Sequence, residues 1–313
     1  MIKKIYGKHS FYFSIITILF SLTILIFENS LLNFNELIIS IVCLFFILSI
    51  GISHGAMDNY KANKLLKIYK INNKAIFFIV YLTIAVFVIL LWSLYASLTL
   101  LFFLLFASYH FGKEDTSFLH KDNSSMDQLV YLIKGSLIIF SPLFFHFDET
   151  LSIFETLFLS KKIIIFLDNE HWIINFCISF GILSYFYFAY KNKFEDFEII
   201  FLDLLSILIL NYVFTPLVAF TIYFCFLHSI RHIISISFEL SPDNFLNGIT
   251  TFIKKALPLS IVTAILYFIA IVFLSNSYGL NDVVIKVIFI GLASLTFPHI
   301  LLEYLIEINE KRT

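Results

Sequence analysis

A chain of 313 residues that is 60% apolar, 19% aromatic and only 14% charged lies far from soluble domains, which are about 45–50% apolar and about 25% charged. So little charge cannot cover the surface of a water-soluble enzyme of this size. A net charge of −1, with Arg231 and Arg312 as the two arginines, leaves no basic surface for nucleic acid. Forty phenylalanines suit hydrocarbon solvent or a greasy ligand. Cys43, Cys177 and Cys225 sit far apart in apolar runs and match no zinc or redox spacing. They read as buried free thiols.

A spanning helix needs about 20 mostly apolar residues. In chain order such runs fall at 10–27, 35–54, 75–93, 94–111, 128–147, 171–190, 197–214, 216–237, 257–275 and 283–305. The stretch 75–111 lacks Asp, Glu, Lys and Arg and is too long for one crossing. It divides near Ser93–Ser97, its most polar patch. The segment Leu151–Leu167 is interrupted by Glu155, Lys161 and Lys162 and reads as interfacial or re-entrant. A basic N-terminus precedes the first run, but no small-residue cleavage site follows it, so a retained span is expected. Neither a repeat nor a low-complexity linker appears, and residues 1–313 read as one domain.

Lysines mark the cytoplasmic ends. Lys3, Lys4 and Lys8 lead the chain, and Lys61, Lys64, Lys67, Lys70 and Lys74 follow the second run. Lys191 and Lys193, Lys254 and Lys255, and Lys311 and Arg312 then recur at every second loop. The expected fold is an all-α integral membrane protein of the cell membrane. It has about ten transmembrane helices and both termini in the cytoplasm.

Ionisable groups inside spans are costly and usually functional. Here they are mainly histidines, in the sequences His54-Gly-Ala-Met-Asp58, Tyr109-His110-Phe-Gly-Lys-Glu-Asp115, His228-Ser-Ile-Arg-His232 and Pro298-His299. The orientation above makes their four helices parallel and brings His54, His110, His228, His232 and His299 to the cytoplasmic side. His146 and His171 fall at the opposite face. His228 and His232, spaced i, i+4, share one helical face, and neutral imidazole is the commonest side-chain metal ligand. A metal site between helices on the cytoplasmic side is therefore expected. His299 is an extra ligand or a supporting residue.

Metal-bound histidines usually donate their other N–H to an acceptor. Asp58 stands i+4 from His54, Glu303 stands i+4 from His299, and Asp115 follows His110 by five. Asp203, inside a span, requires a partner. Arg231 is expected to point away from the site toward headgroups. All-imidazole ligation suits iron, copper or zinc, and haem remains open.

The set HGAMD, YHFGKED and HSIRH with the late Pro-His resembles the Brp/Blh family of membrane β-carotene dioxygenases, in order and approximate separation, from His54 to His299. The resemblance implies cleavage of β-carotene by O2 at the central 15,15′ double bond, giving two all-trans-retinal molecules. It implies Fe(2+) on His54, His110, His228 and His232, and a functional link to a microbial rhodopsin. A membrane desaturase would need about eight histidines in several boxes, and one paired box occurs here. A haem protein and a metal transporter also stand as rivals. A non-catalytic carrier delivering carotenoid or retinal to a rhodopsin would need the greasy cavity but not four histidines.

The histidines lie toward one face, whereas cleavage falls at the middle of a polyene about as long as the hydrocarbon core, about 30 Å. The substrate is therefore expected to lie tilted or nearly in the membrane plane. Its tunnel is expected to be walled by Phe111, Phe224 and Phe297.

Overall fold

A computed structural model describes residues 2–31, 35–53, 55–118 and 124–310, apart from the side chains of 27–31 and 310. His54, Lys311 and Arg312 lie outside the described residues. Those described form helices and short turns, with no strand among them.

Helix α1 (Ile2–Leu31) is followed by α2 (Glu36–Phe46), whose first turn is capped by Asn35 Oδ1 accepting from Leu37 N. α2 then widens into a π-helical turn, Ile47–Gly51. A 3₁₀ turn (Gly55–Met57) leads into α3 (Asp58–Ile68). The basic loop after the second apolar run thus contains a helix. An acid in its first turn and Lys67 in its last complement the helix dipole.

Helix α4 (Ala75–Glu114) is continuous except at Tyr95, whose φ of −138° and ψ of 52° are not helical. Straight, it would separate Tyr81 from His110 by about 43 Å at 1.5 Å per residue. Both instead meet the same partners. Tyr81 Oη lies 3.0 Å from Asp58 Oδ2, Asp58 holds His299, and the His299 ring centroid is 5.1 Å from that of His110. The helix therefore doubles back at Tyr95, inside the Ser93–Ser97 patch marked by the sequence.

Helix α5 (Ser125–Phe145) begins with a capping box between Ser124 and Asp127. Two short helices, α6 (Phe147–Thr156) and α7 (Lys161–Asn169), occupy most of the segment expected to be interfacial. α6 buries Leu151 and Phe154, while α7 buries no residue. Then come α8 (His171–Lys191) and α9 (Phe197–Val213). α10 (Pro216–Ile222) starts on a proline whose missing N–H costs nothing there. It passes through a second π-helical turn, Tyr223–Ser229, into α11 (Ile230–Leu240). α12 (Phe245–Leu274) and α13 (Leu280–Glu310) complete the bundle.

Eight helices among the described residues are long and apolar enough to cross a membrane. α4, one of the eight, turns back on itself, and α9 adds 17 more residues of similar character. Large apolar side chains such as Phe268, Phe273 and Leu94 stand exposed around the outside. So much exposed apolar surface suits lipid and not water, and the chain has the character of a multi-pass membrane protein. Polar groups converge inside, where side chains of α3, the returning half of α4, α11 and α13 meet.

Candidate metal centre

His110, His228, His232 and His299 are all buried and gather at one end of the bundle. The His110 ring centroid lies 5.2 Å from that of His228 and 5.1 Å from that of His299, and His232 is 5.7 Å from His299. His146 and His171 stand apart from this group, beside Glu149 and Asp168. The i, i+4 pair divides its contacts, His228 meeting His110 and His232 meeting His299.

Local backbone geometry explains how these rings reach each other. His228 lies within the Tyr223–Ser229 π turn, and the other π turn ends at Gly51, three residues before His54. Such turns re-aim side chains and are frequent at functional sites. The two π turns pack together, with Ser229 Oγ donating to Gly51 O at 3.3 Å. His110 is placed by close helix crossing. A Cβ on Gly112 would lie 1.8 Å from Tyr131 O, and one on Gly135 would lie 1.8 Å from Ser108 O. Only glycine at both positions lets α4 and α5 approach so closely.

Each described histidine of the cluster turns Nδ1 toward a carboxylate. His228 Nδ1 is 3.1 Å from Asp115 Oδ1, and His299 Nδ1 is 2.8 Å from Asp58 Oδ1. His232 Nδ1 is 3.3 Å from Glu114 Oε2, and His110 Nδ1 is 3.6 Å from Glu303 Oε2. This carboxylate–histidine arrangement fixes ring orientation and makes Nε2 the more basic, metal-directed nitrogen. Asp115 also accepts from Tyr223 Oη at 2.6 Å. Burial disfavours its charge, yet His228, Arg231 and Lys134 still hold it below the usual carboxylate range.

Glu303 lies near His299, i+4 along the same helix, as the spacing suggests, and the expected pairing of Asp58 with His54 falls outside the described residues. Asp58 serves His299, reached across 241 positions. Asp115 serves His228 and not His110. Glu303 bridges, lying 3.6 Å from His299 Nε2 and 3.9 Å from His232 Nε2 as well as near His110. Donor atoms of His110, His299 and Glu303 lie within 4.8 Å of one another, as do those of Glu114, His232 and Glu303. Sequence reasoning missed Glu114, Lys61, Tyr81 and Tyr223. Glu114 alone carried a usable signal, standing i+4 from His110 within its motif.

A cation already sits among these acceptors: Lys61 Nζ is 2.7 Å from Glu303 Oε1 and 3.1 Å from His232 Nε2. Imidazoles backed by carboxylates, in a pocket that stabilises positive charge, fit a divalent transition metal. Among the described residues the centre has no thiolate, and the cysteines are free, Cys43 and Cys225 buried.

Arg231 does not point to headgroups. It is buried, with Nη2 donating to Asp203 Oδ1 at 2.7 Å, Oδ2 at 2.6 Å and Ser10 Oγ at 2.5 Å. A carboxylate inside the bundle makes this inward direction the favourable one, because a buried charge needs a counter-ion.

A cavity of about 1010 Å³ opens beside the histidines. His110, His299, Phe111 and Phe224 line one end, while Phe297 packs instead on Phe106 at 5.3 Å. From there the cavity follows the seam between the first half of α4, α12 and α13 as far as Trp92, Phe158, Tyr278 and Lys286. It runs along the helices and not across them, which departs from the nearly in-plane form of the expected tilted or in-plane tunnel. The cause is the loose seam between α4 and α12, whose facing residues Leu82, Val86, Val262 and Leu266 remain about half exposed. That seam also opens the cavity sideways.

A family model described as beta-carotene 15,15′-dioxygenase matches residues 45–307, which include every histidine of the cluster. A protein named beta-carotene 15,15′-dioxygenase from uncultured marine bacterium 66A03 is 28% identical over 258 residues, covering 81% of this chain and 88% of its own. No solved structure matches.

Proposed function

The chain belongs to the β-carotene 15,15′-dioxygenase family, and we propose that it cleaves β-carotene at the central 15,15′ double bond with O2, yielding two all-trans-retinal molecules. The observation that carries this reading is the cluster of carboxylate-held histidines at the end of a long apolar cavity. In this reading His54, His110, His228 and His232 hold Fe(2+), and His299 supports them or adds a fifth imidazole. The ion would supply activation of dioxygen beside the electron-rich polyene.

The protein's own residues do the rest. Asp58, Asp115 and Glu114 fix the rings of His299, His228 and His232, and Glu303 balances the charge between them. Phe111 and Phe224 wall the histidine end with ring faces and keep water from it. No proton need move, because both oxygens end on the two new aldehyde carbons. Alignment of one double bond among many is the protein's main task. The lateral seam admits a substrate that dissolves in lipid.

The alternating lysines support a histidine end on the cytoplasmic side of the cell membrane, in a ten-span arrangement that counts both halves of α4 and α9. A rhodopsin is the natural consumer of the retinal. A carrier would need the cavity but not carboxylates on each histidine, so it is the weaker reading. Expression in a β-carotene-producing bacterium tests this directly. Loss of orange colour with appearance of retinal is expected. Retained colour with carotenoid bound to the purified protein would establish a carrier instead.

A further inference from the structure

Between α6 and α7 the chain makes an irregular turn whose three successive carbonyls are each held by a different side chain. Lys286 of α13 donates to Thr156 O. Trp92 Nε1 donates to Leu157 O at 3.3 Å, and Ser97 Oγ donates to Phe158 O at 3.0 Å, both from the bend of α4. Leu157 is fully buried. Phe158 adopts a φ of 68°, a left-handed conformation that costs a bulky residue strain. The Lys286 ammonium sits 4.1 Å from the Phe158 ring centroid and 4.7 Å from that of Tyr278. These three side chains line the cavity at the end away from the histidines. A simple connection between two short helices does not need so many anchors.

The distance between the two ends is informative. Thirteen residues of α13 separate Lys286 from His299, a rise of about 20 Å. A carotenoid about as long as the hydrocarbon core, about 30 Å, has halves of about 15 Å. Allowing for the side chains that protrude at both ends, the arm accommodates one ring-bearing half. We infer that the pinned turn is the stop of a molecular ruler. One half of the carotenoid fills the arm until its ring meets Phe158, Tyr278 and Lys286, and this depth presents the central double bond to the histidine end.

The inference rests on the cleavage reading and adds what selects the bond. The chemistry is unchanged: one C=C bond breaks, and O2 gives one oxygen atom to each carbon. Phe158, Tyr278 and Lys286 are positioning residues, and the length of the product is their readout.

The test uses the full chain in membranes and a thirty-carbon apocarotenal with a single β-ring. Wild-type protein should release a twenty-carbon ring product from it, as from β-carotene, because length is counted from the ring. Phe158→Ala deepens the arm and should lengthen the ring product, whereas Leu274→Trp shortens the arm and should shorten it. Lys286→Met, which frees the turn, should give a mixture of lengths. Twenty-carbon products from all variants, or a wild-type ring product from the apocarotenal that does not have twenty carbons, would overturn the ruler. Failure of the wild type to cleave β-carotene would instead overturn the function. The apocarotenal result stands even if a variant does not accumulate.

Discussion

His299 Nδ1 lies 2.8 Å from Asp58 Oδ1 although 241 positions separate them in the chain. Asp58 also accepts from Tyr81 Oη at 3.0 Å. One carboxylate thus ties α13 to α3 and to the outgoing half of α4. Loss of such a carboxylate typically costs about 10–100-fold in metal affinity or activity. Asp58→Asn is expected to weaken iron retention to that extent and leave measurable turnover, read by metal analysis and retinal formation. Unchanged iron and rate would reduce Asp58 to a structural tie.

Removal of a ligand should be more severe than removal of its support. His110→Ala, His228→Ala and His232→Ala, together with His54→Ala, are expected to abolish cleavage and lower bound iron. His146→Ala and His171→Ala should keep both, since their side chains lie apart from the cluster. His299→Ala separates two roles, a partial defect marking support and a complete one marking a fifth ligand. Full iron content after loss of His228 would defeat the assignment.

The grouping of these histidines was legible because hydropathy suggests the spans and alternating lysines suggest their direction, and the two together suggest a depth. His110, His228, His232 and His299 then fall at one level without knowledge of packing. The carboxylate partners were legible only in part. Glu303 lies near His299, i+4 along one helix, as its spacing suggests, whereas Asp58 meets the same histidine from another element. Spacing along one helix cannot register an approach between helices. The in-plane form of the tunnel was misjudged for a related reason, since the cavity follows an unfilled seam between α4 and α12, a property of neither helix alone. Arg231 was misread because a headgroup and a buried carboxylate are equivalent partners until Asp203 is seen 2.6 Å away.

That pair makes its own prediction. Breaking a buried ion pair from one side typically costs about 3–5 kcal/mol, because the remaining charge has no counter-ion. Arg231→Met should therefore lower thermal stability in detergent sharply, with Asp203 left behind. The double variant Arg231→Met with Asp203→Leu should recover much of the loss. Equal damage from single and double variants would show that the guanidinium matters through packing on Phe118, 5.1 Å away, and not through charge.

Two motif glycines should respond in opposite ways. A Cβ at Gly112 would meet Tyr131 O at 1.8 Å, and backbone cannot yield as a flexible side chain does. α4 and α5 would have to separate, carrying His110, two residues away, out of register with His228. Overpacking of this kind costs about 1–3 kcal/mol, and a displacement of about 1 Å at a reacting centre can cost about 100-fold in rate. Gly112→Ala is thus expected to accumulate in membranes yet lose most cleavage. Gly55 stands beside His54 in the other motif, but a Cβ there meets nothing within 4 Å and its φ is not positive. Gly55→Ala should retain most activity. Retinal yield per unit of membrane-inserted protein compares them, and equal yields would mean that helix approach at Gly112 does not position His110.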